Sequence, residues 1–258
     1  MNWKKLLVFL GILLVIGFKF KPNNLNKKNK NFPKIRGVIM PHHDLVSQIF
    51  EKNFSKLSLE TKPKTIVILG TNHFLPISPT FTATNEIKKK LQIDMLWTDD
   101  ELVNKDHSIQ TIVPYINKYF PNTEIIPILI SSRYDSIKGL GDFVNSLTNK
   151  FDKNETIYLA SVDFAHEVSL EEGINNNSES IKNISNFNYN NILKYDDKNM
   201  DSPIAITTLL LTMEKLGAKK WETWESSHGA LVLNNIDTNS TSYVVGVFKE
   251  DLLLEKYN

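Results

Sequence analysis

Apolar positions fall in short blocks along the chain, some continuous and some spaced for one face of a helix. Gly37 to Met40 is an apolar run closed by Pro41 and predicts a first strand. Asp44 to Leu57 carries Leu45, Ile49, Phe50 and Phe54 on one helical face. Thr65 to Leu69 is a β-branched strand ended by Gly70, and Ile109 to Ile116 suggests a second helix before Pro121. Further strands are expected at Glu124–Ile130, Thr156–Ala160 and Thr241–Phe248. Helices are expected at Ser136–Asn149 and Pro203–Leu216, the latter with Pro in its first turn. The Asn- and Ser-rich stretch from Asn175 to Asn191 reads as helix with a loose start. Strands alternating with helices predict an α/β fold, a layered α/β/α sandwich around a mainly parallel or mixed sheet.

The N-terminus has a different pattern. Lys4 and Lys5 precede an apolar run from Leu6 to Phe18, as in a signal peptide or signal anchor. A buried N-terminal helix is the alternative. The following Pro, Asn and Lys residues read as a linker. The expected organisation is an anchor at 1–20, a linker at 21–34 and one domain at 35–258. The expected location is at a membrane through the N-terminus with an extracytoplasmic domain, or secreted if the segment is cleaved.

Charge sharpens this picture. Nine Lys and Arg lie before Asp44 with no acidic residue among them, which leaves 21 basic against 29 acidic side chains in the remainder. A net-negative domain is a poor match for nucleic acid, whose phosphates need clustered Lys and Arg. With no Cys, disulfides, zinc ribbons and thiol nucleophiles are excluded, so any metal must be held by His, carboxylate and oxygen. Nucleotide-binding glycine loops and the HExxH zinc motif are also missing.

The six His are the main chemical signal. His42 and His43 follow the first expected strand, His73 the second, and His166 the strand at Thr156–Ala160. His107 opens a helix, and only His228 lies elsewhere. In open parallel sheets ligands bind beyond the carboxyl ends of the strands, so three His-bearing loops would converge at one edge. Imidazole there is a metal ligand or general base, although each single His also reads as an ordinary turn or core residue. Asp163 reads equally as a helix cap or as a carboxylate orienting a neighbouring imidazole.

Gly37-Val-Ile-Met-Pro-His42-His43, Val67-Ile-Leu-Gly-Thr-Asn-His73, Asp106-His-Ser-Ile109, Ile126-Pro-Ile-Leu129, Ala160-Ser-Val-Asp-Phe-Ala-His166, Asp201-Ser-Pro-Ile204 and Ser242-Tyr-Val-Val-Gly246 occur in this order. Together they resemble the Memo-like family (AmmeMemoRadiSam system protein B), itself similar in fold to class III extradiol dioxygenases. The resemblance implies a divalent metal, Fe(II) first and Cu or Zn as alternatives, on His42 and His73. It places His107, His166 and Asp163 in the pocket as catalytic candidates, acting on an unknown small-molecule substrate. For the third ligand some relatives carry Cys, which aligns with Asn199. Asp201, two residues on, is the carboxylate an extradiol-type triad requires, and it reads equally as a helix cap. His43 stands where the family has a small residue and is a rival ligand. The implied function is a non-haem Fe(II) oxidoreductase; the alternatives are a non-catalytic metal- or ligand-binding protein and, more weakly, a metal-assisted hydrolase.

Overall fold

The computed structural model describes residues 34–250 apart from 77–79 and 135. In chain order the elements are β1 (Ile35–Met40), a 3₁₀ turn at Asp44–Val46, α1 (Ser47–Glu60), β2 (Thr65–Thr71), β3 (Phe81–Ala83), α2 (Asn85–Leu91), β4 (Leu96–Thr98), α3 (Asp100–Lys105), α4 (His107–Gln110), α5 (Val113–Tyr119), β5 (Glu124–Ile130), α6 (Ile137–Thr148), β6 (Thr156–Ser161), α7 (Leu170–Ser185), α8 (Tyr189–Ile192), α9 (Pro203–Leu216), β7 (Lys220–His228), α10 (Gly229–Val232) and β8 (Ser242–Lys249). The strands form one mixed sheet of eight in the order β4-β3-β5-β2-β6-β1-β8-β7. Its centre, β5-β2-β6-β1, is parallel. The flanking pairs β3–β5, β1–β8 and β8–β7 are antiparallel.

Alternation along the central strands divides the core between the two faces of the sheet. Ile66, Ile68, Ile157 and Leu159 join a cluster with Phe50, Phe54 and Leu57 of α1 and Ile116 of α5. Val67, Leu69, Tyr158 and Ala160 join the opposite cluster with Phe143 of α6 and Leu209 and Leu210 of α9. Burial on both faces explains why these strands are apolar at consecutive positions, each large side chain contributing about 1.5–3 kcal/mol. Helix α9 begins at Pro203 under a Ser202 cap and ends on Gly217, whose φ of 72° suits a residue without a Cβ.

The parallel order brings the C-terminal ends of β1, β2 and β6 to one edge, so the segments that follow Met40, Thr71 and Ser161 emerge side by side. The expected membrane anchor is corrected. Among the described residues no helix is long and apolar enough to cross a membrane, and residues 1–20, on which that expectation rested, lie outside the described residues. A transmembrane segment, a membrane partner and an extracytoplasmic location are therefore not retained. Of the linker at 21–34, only Lys34 is described.

Candidate metal centre

Three imidazoles meet at this edge. One ring nitrogen from each of His42, His73 and His107 lies within 4.8 Å of the others. The His73 and His107 rings stack at 3.8 Å, and His42 stands nearly perpendicular to both, at 5.0 and 5.1 Å. Asp201 closes the group, with Oδ2 3.1 Å from His42 Nε2 and 3.6 Å from His73 Nε2. The His42–Asp201 contact is close enough for charge pairing but is not aligned as a hydrogen bond. Both atoms are buried without a hydrogen-bond partner. Such orphaned atoms are costly unless something sits between them.

The surrounding contacts orient these groups. Asp106 accepts from the His73 ring at Nδ1 (2.9 Å), from the His73 backbone (2.9 Å) and from the Ser108 backbone (2.9 Å). With Nδ1 engaged, His73 turns Nε2 inward, the arrangement seen when a carboxylate supports a metal-binding imidazole. His42 Nδ1 lies 3.2 Å from Ser161 Oγ, and its backbone N–H donates to Asp163 Oδ1 at 2.9 Å. Asp201 Oδ1 accepts from Thr71 Oγ1 at 3.1 Å.

Burial opposes charge on His42, but the carboxylates of Asp163 and Asp201 outweigh it and raise the ring above its ordinary value. Burial likewise works against charged His73, yet its hydrogen bond to Asp106 and the nearby Asp201 carboxylate push it up to about 9. Burial would raise Asp201, but the charge of His42 and the approach of His73 hold it well below the usual carboxylate range. His107 moves the other way: burial first, then the neighbouring positive His73 and His42, lower it. The surroundings therefore favour charge on His42 and His73 and disfavour it on His107, which stacks on His73.

A divalent ion fits this donor set. Bonds of about 2.0–2.2 Å to nitrogen and oxygen put neighbouring ligand atoms roughly 3–3.5 Å apart, close to the His42–Asp201 and His73–Asp201 separations. The Memo-like protein family model matches residues 76–244, more than half the chain. The chain belongs to the Memo-like family. A MEMO1 family protein of Caldivirga maquilingensis is 26% identical over 193 residues, covering 66% of this chain and 67% of the relative. One from Saccharolobus solfataricus is 24% identical over 206 residues, covering 71% and 72%. An uncharacterised Escherichia coli K12 protein of solved structure shares the fold, with TM-score 0.53 at 13% identity over 82% of this chain and 99% of that one.

Within this Memo-like domain the sequence-derived candidates fall into two groups. His42, His73, His107 and Asp201 converge. Asp201 does not cap α9, since Ser202 Oγ accepts from Ala205 N in that role. Asp163 is beside the group, with Oδ2 3.8 Å from His42 Nε2, but it holds the His42 backbone rather than a ring. His166 and His43 make no ring contact with the three imidazoles. His166 Nε2 is buried without a hydrogen-bond partner. His43 Nδ1 accepts from Leu45 N, and its ring meets Tyr243. Sequence reasoning did not assign Asp106, Thr71, Ser108 or Ser161 to the site. Their signal was available only as polar residues at the ends of apolar strands, next to motif histidines.

Proposed function

We propose that this Memo-like domain binds one divalent metal ion through His42, His73 and Asp201, with Fe(II) the first candidate, and acts as a metal-dependent oxidoreductase. The observation that carries the reading is the buried, unpartnered pair His42 Nε2 and Asp201 Oδ2 facing each other beside two further imidazoles. Two His and one carboxylate with open positions suit Fe(II), which would supply O₂ activation and polarise a substrate oxygen. In this reading His42, His73 and Asp201 hold the ion, and Asp106 fixes the His73 ring. Asp163 keeps the His42 backbone in place. His107, on which burial disfavours charge, is the group beside the ion that would accept a proton from a substrate hydroxyl. No contact gives His166 a part in it.

A second reading is favoured by the convergence of three imidazoles rather than two. If His107 is itself a ligand, four donors close the site, as in non-catalytic centres. Anaerobic calorimetric titration with Fe(II) separates the two. Wild type should bind about one equivalent, and His42→Ala, His73→Ala and Asp201→Asn should lose most of the affinity. His107→Ala should keep affinity within a few-fold if it is an acid/base group, and lose it like His42→Ala in a closed site. Oxygen uptake with catechol-like substrates should follow only the open site. Wild-type affinity in both His42→Ala and His73→Ala would rule out both readings.

A further inference from the structure

We infer that Thr71, Ser108 and Ser161 form a buried hydroxyl layer that fixes the proton of neutral His42 on Nδ1 and turns Asp201 Oδ2 inward, so that the donor atoms are set before any ion arrives. Ser161 Oγ lies 2.6 Å from the Ser108 carbonyl oxygen. A carbonyl has no proton to give, so the single Ser161 hydroxyl proton occupies that contact. What Ser161 Oγ presents to His42 Nδ1, 3.2 Å away, is a lone pair, and that contact is a hydrogen bond only if Nδ1 carries the proton. Nε2 of the neutral ring is then a lone pair.

The assignment runs against a local pull. Asp201 Oδ2 at 3.1 Å and Asp163 Oδ2 at 3.8 Å both favour a proton on Nε2. Misalignment weakens the first and distance the second, while Ser161 is aligned and completely buried. Ser108 in turn is held by its own Oγ–H to Thr71 O at 2.8 Å. That approach requires Gly70, since a Cβ there would lie 2.6 Å from Ser108 Oγ. The Thr71 hydroxyl donates to Asp201 Oδ1 at 3.1 Å, nearer than its other acceptor, the Ser161 carbonyl at 3.4 Å, and this leaves Asp201 Oδ2 facing His42. These are positioning residues, acting through His42 and Asp201. The consequence for metal affinity rests on the metal-binding reading, but the proton position does not.

The test is ¹⁵N-histidine NMR of the metal-free full chain in alkaline buffer that leaves His42 neutral, with Fe(II) affinity measured in parallel. Wild type should show the His42 proton on Nδ1. Ser161→Ala should move it wholly or partly to Nε2 and weaken Fe(II) binding roughly 10–100-fold, the usual effect of losing such a partner. Thr71→Val should leave the His42 proton in place, weaken Fe(II) binding, and be rescued by Thr71→Ser. The wild-type spectrum needs no variant, so poor folding of Ser161→Ala does not remove the test. A wild-type His42 protonated on Nε2, or a folded Ser161→Ala with unchanged proton position, overturns the inference. Nδ1 protonation in a wild type that binds no Fe(II) supports it and overturns the metal-binding reading alone.

Discussion

Asp106 is the residue on which two of the three imidazoles depend. It is fully buried, caps α4 through Ser108 N, and so sets where His107 begins, while its second oxygen and its bond to Nδ1 hold His73. Asp106→Asn keeps a capping oxygen but loses charge and one acceptor. We expect metal affinity to fall about 10–100-fold and the metal-free protein to lose about 1–3 kcal/mol, read by calorimetry and denaturant unfolding. The same contact predicts a pH dependence. The His73 value of about 9 is above the ordinary 6.5 because Asp106 and Asp201 outweigh burial. Stability from the charged ring is complete below pH 6.5 and is lost as pH rises through about 9. The melting temperature of the metal-free protein should fall across that window, and Asp106→Asn should flatten the fall. Metal affinity should rise over the same window, because the ligand is the neutral ring. A melting curve independent of pH there would contradict the His73–Asp106 pairing.

The elements differ in how openly they were written in the chain. Strand β5 and helix α9 fall at the expected limits, and β1, β2 and β6 within two residues of them, because burial on both faces makes them nearly continuous apolar runs. Strands β3 and β4, three residues each, are too short to show a period. Strand β7 was missed because it is an edge strand, paired only to β8, and half-exposed charged residues interrupt its Trp221 and Trp224. Helix α7 was blurred for the opposite reason: its buried face is polar, with Asn177, Ser180 and Asn183 where apolar residues are usual. Asn177 makes up for this by binding Ser226 Oγ, the Ser227 and Tyr243 carbonyls, and the Ser242 hydroxyl, tying α7 to β7 and β8. Asn177→Leu should therefore cost about 1–3 kcal/mol in urea unfolding, although it improves helical periodicity. Ser202→Ala should cost about 1 kcal/mol through the α9 cap and leave metal affinity near wild type. A large affinity loss there would mean that the start of α9, rather than Asp201 itself, governs the site.

Across the whole molecule, the strand order turned scattered histidines into one group. His at the ends of apolar strands was legible because parallel strands share an exit edge; the stacking of His107 on His73 and the Asp106 and hydroxyl contacts beneath were not, since they depend on side-chain direction between segments distant in sequence. The domain also closes on itself near its ends, where Glu250 N donates to Lys34 O and Arg36 pairs with Glu250 at 2.7 Å. A chain beginning at Asn31 should accordingly fold cooperatively, with a melting temperature close to that of the full chain. Aggregation of that shortened chain alone would show that the first residues belong to the core. The central claim, a metal ion held by His42, His73 and Asp201, is tested most directly by elemental analysis of the full chain purified anaerobically without a His tag, beside the His42→Ala/His73→Ala double variant. About one equivalent of a divalent transition metal in wild type and almost none in the folded double variant is the expected result. Equal metal in both, or none in wild type even after anaerobic loading with Fe(II), would contradict it.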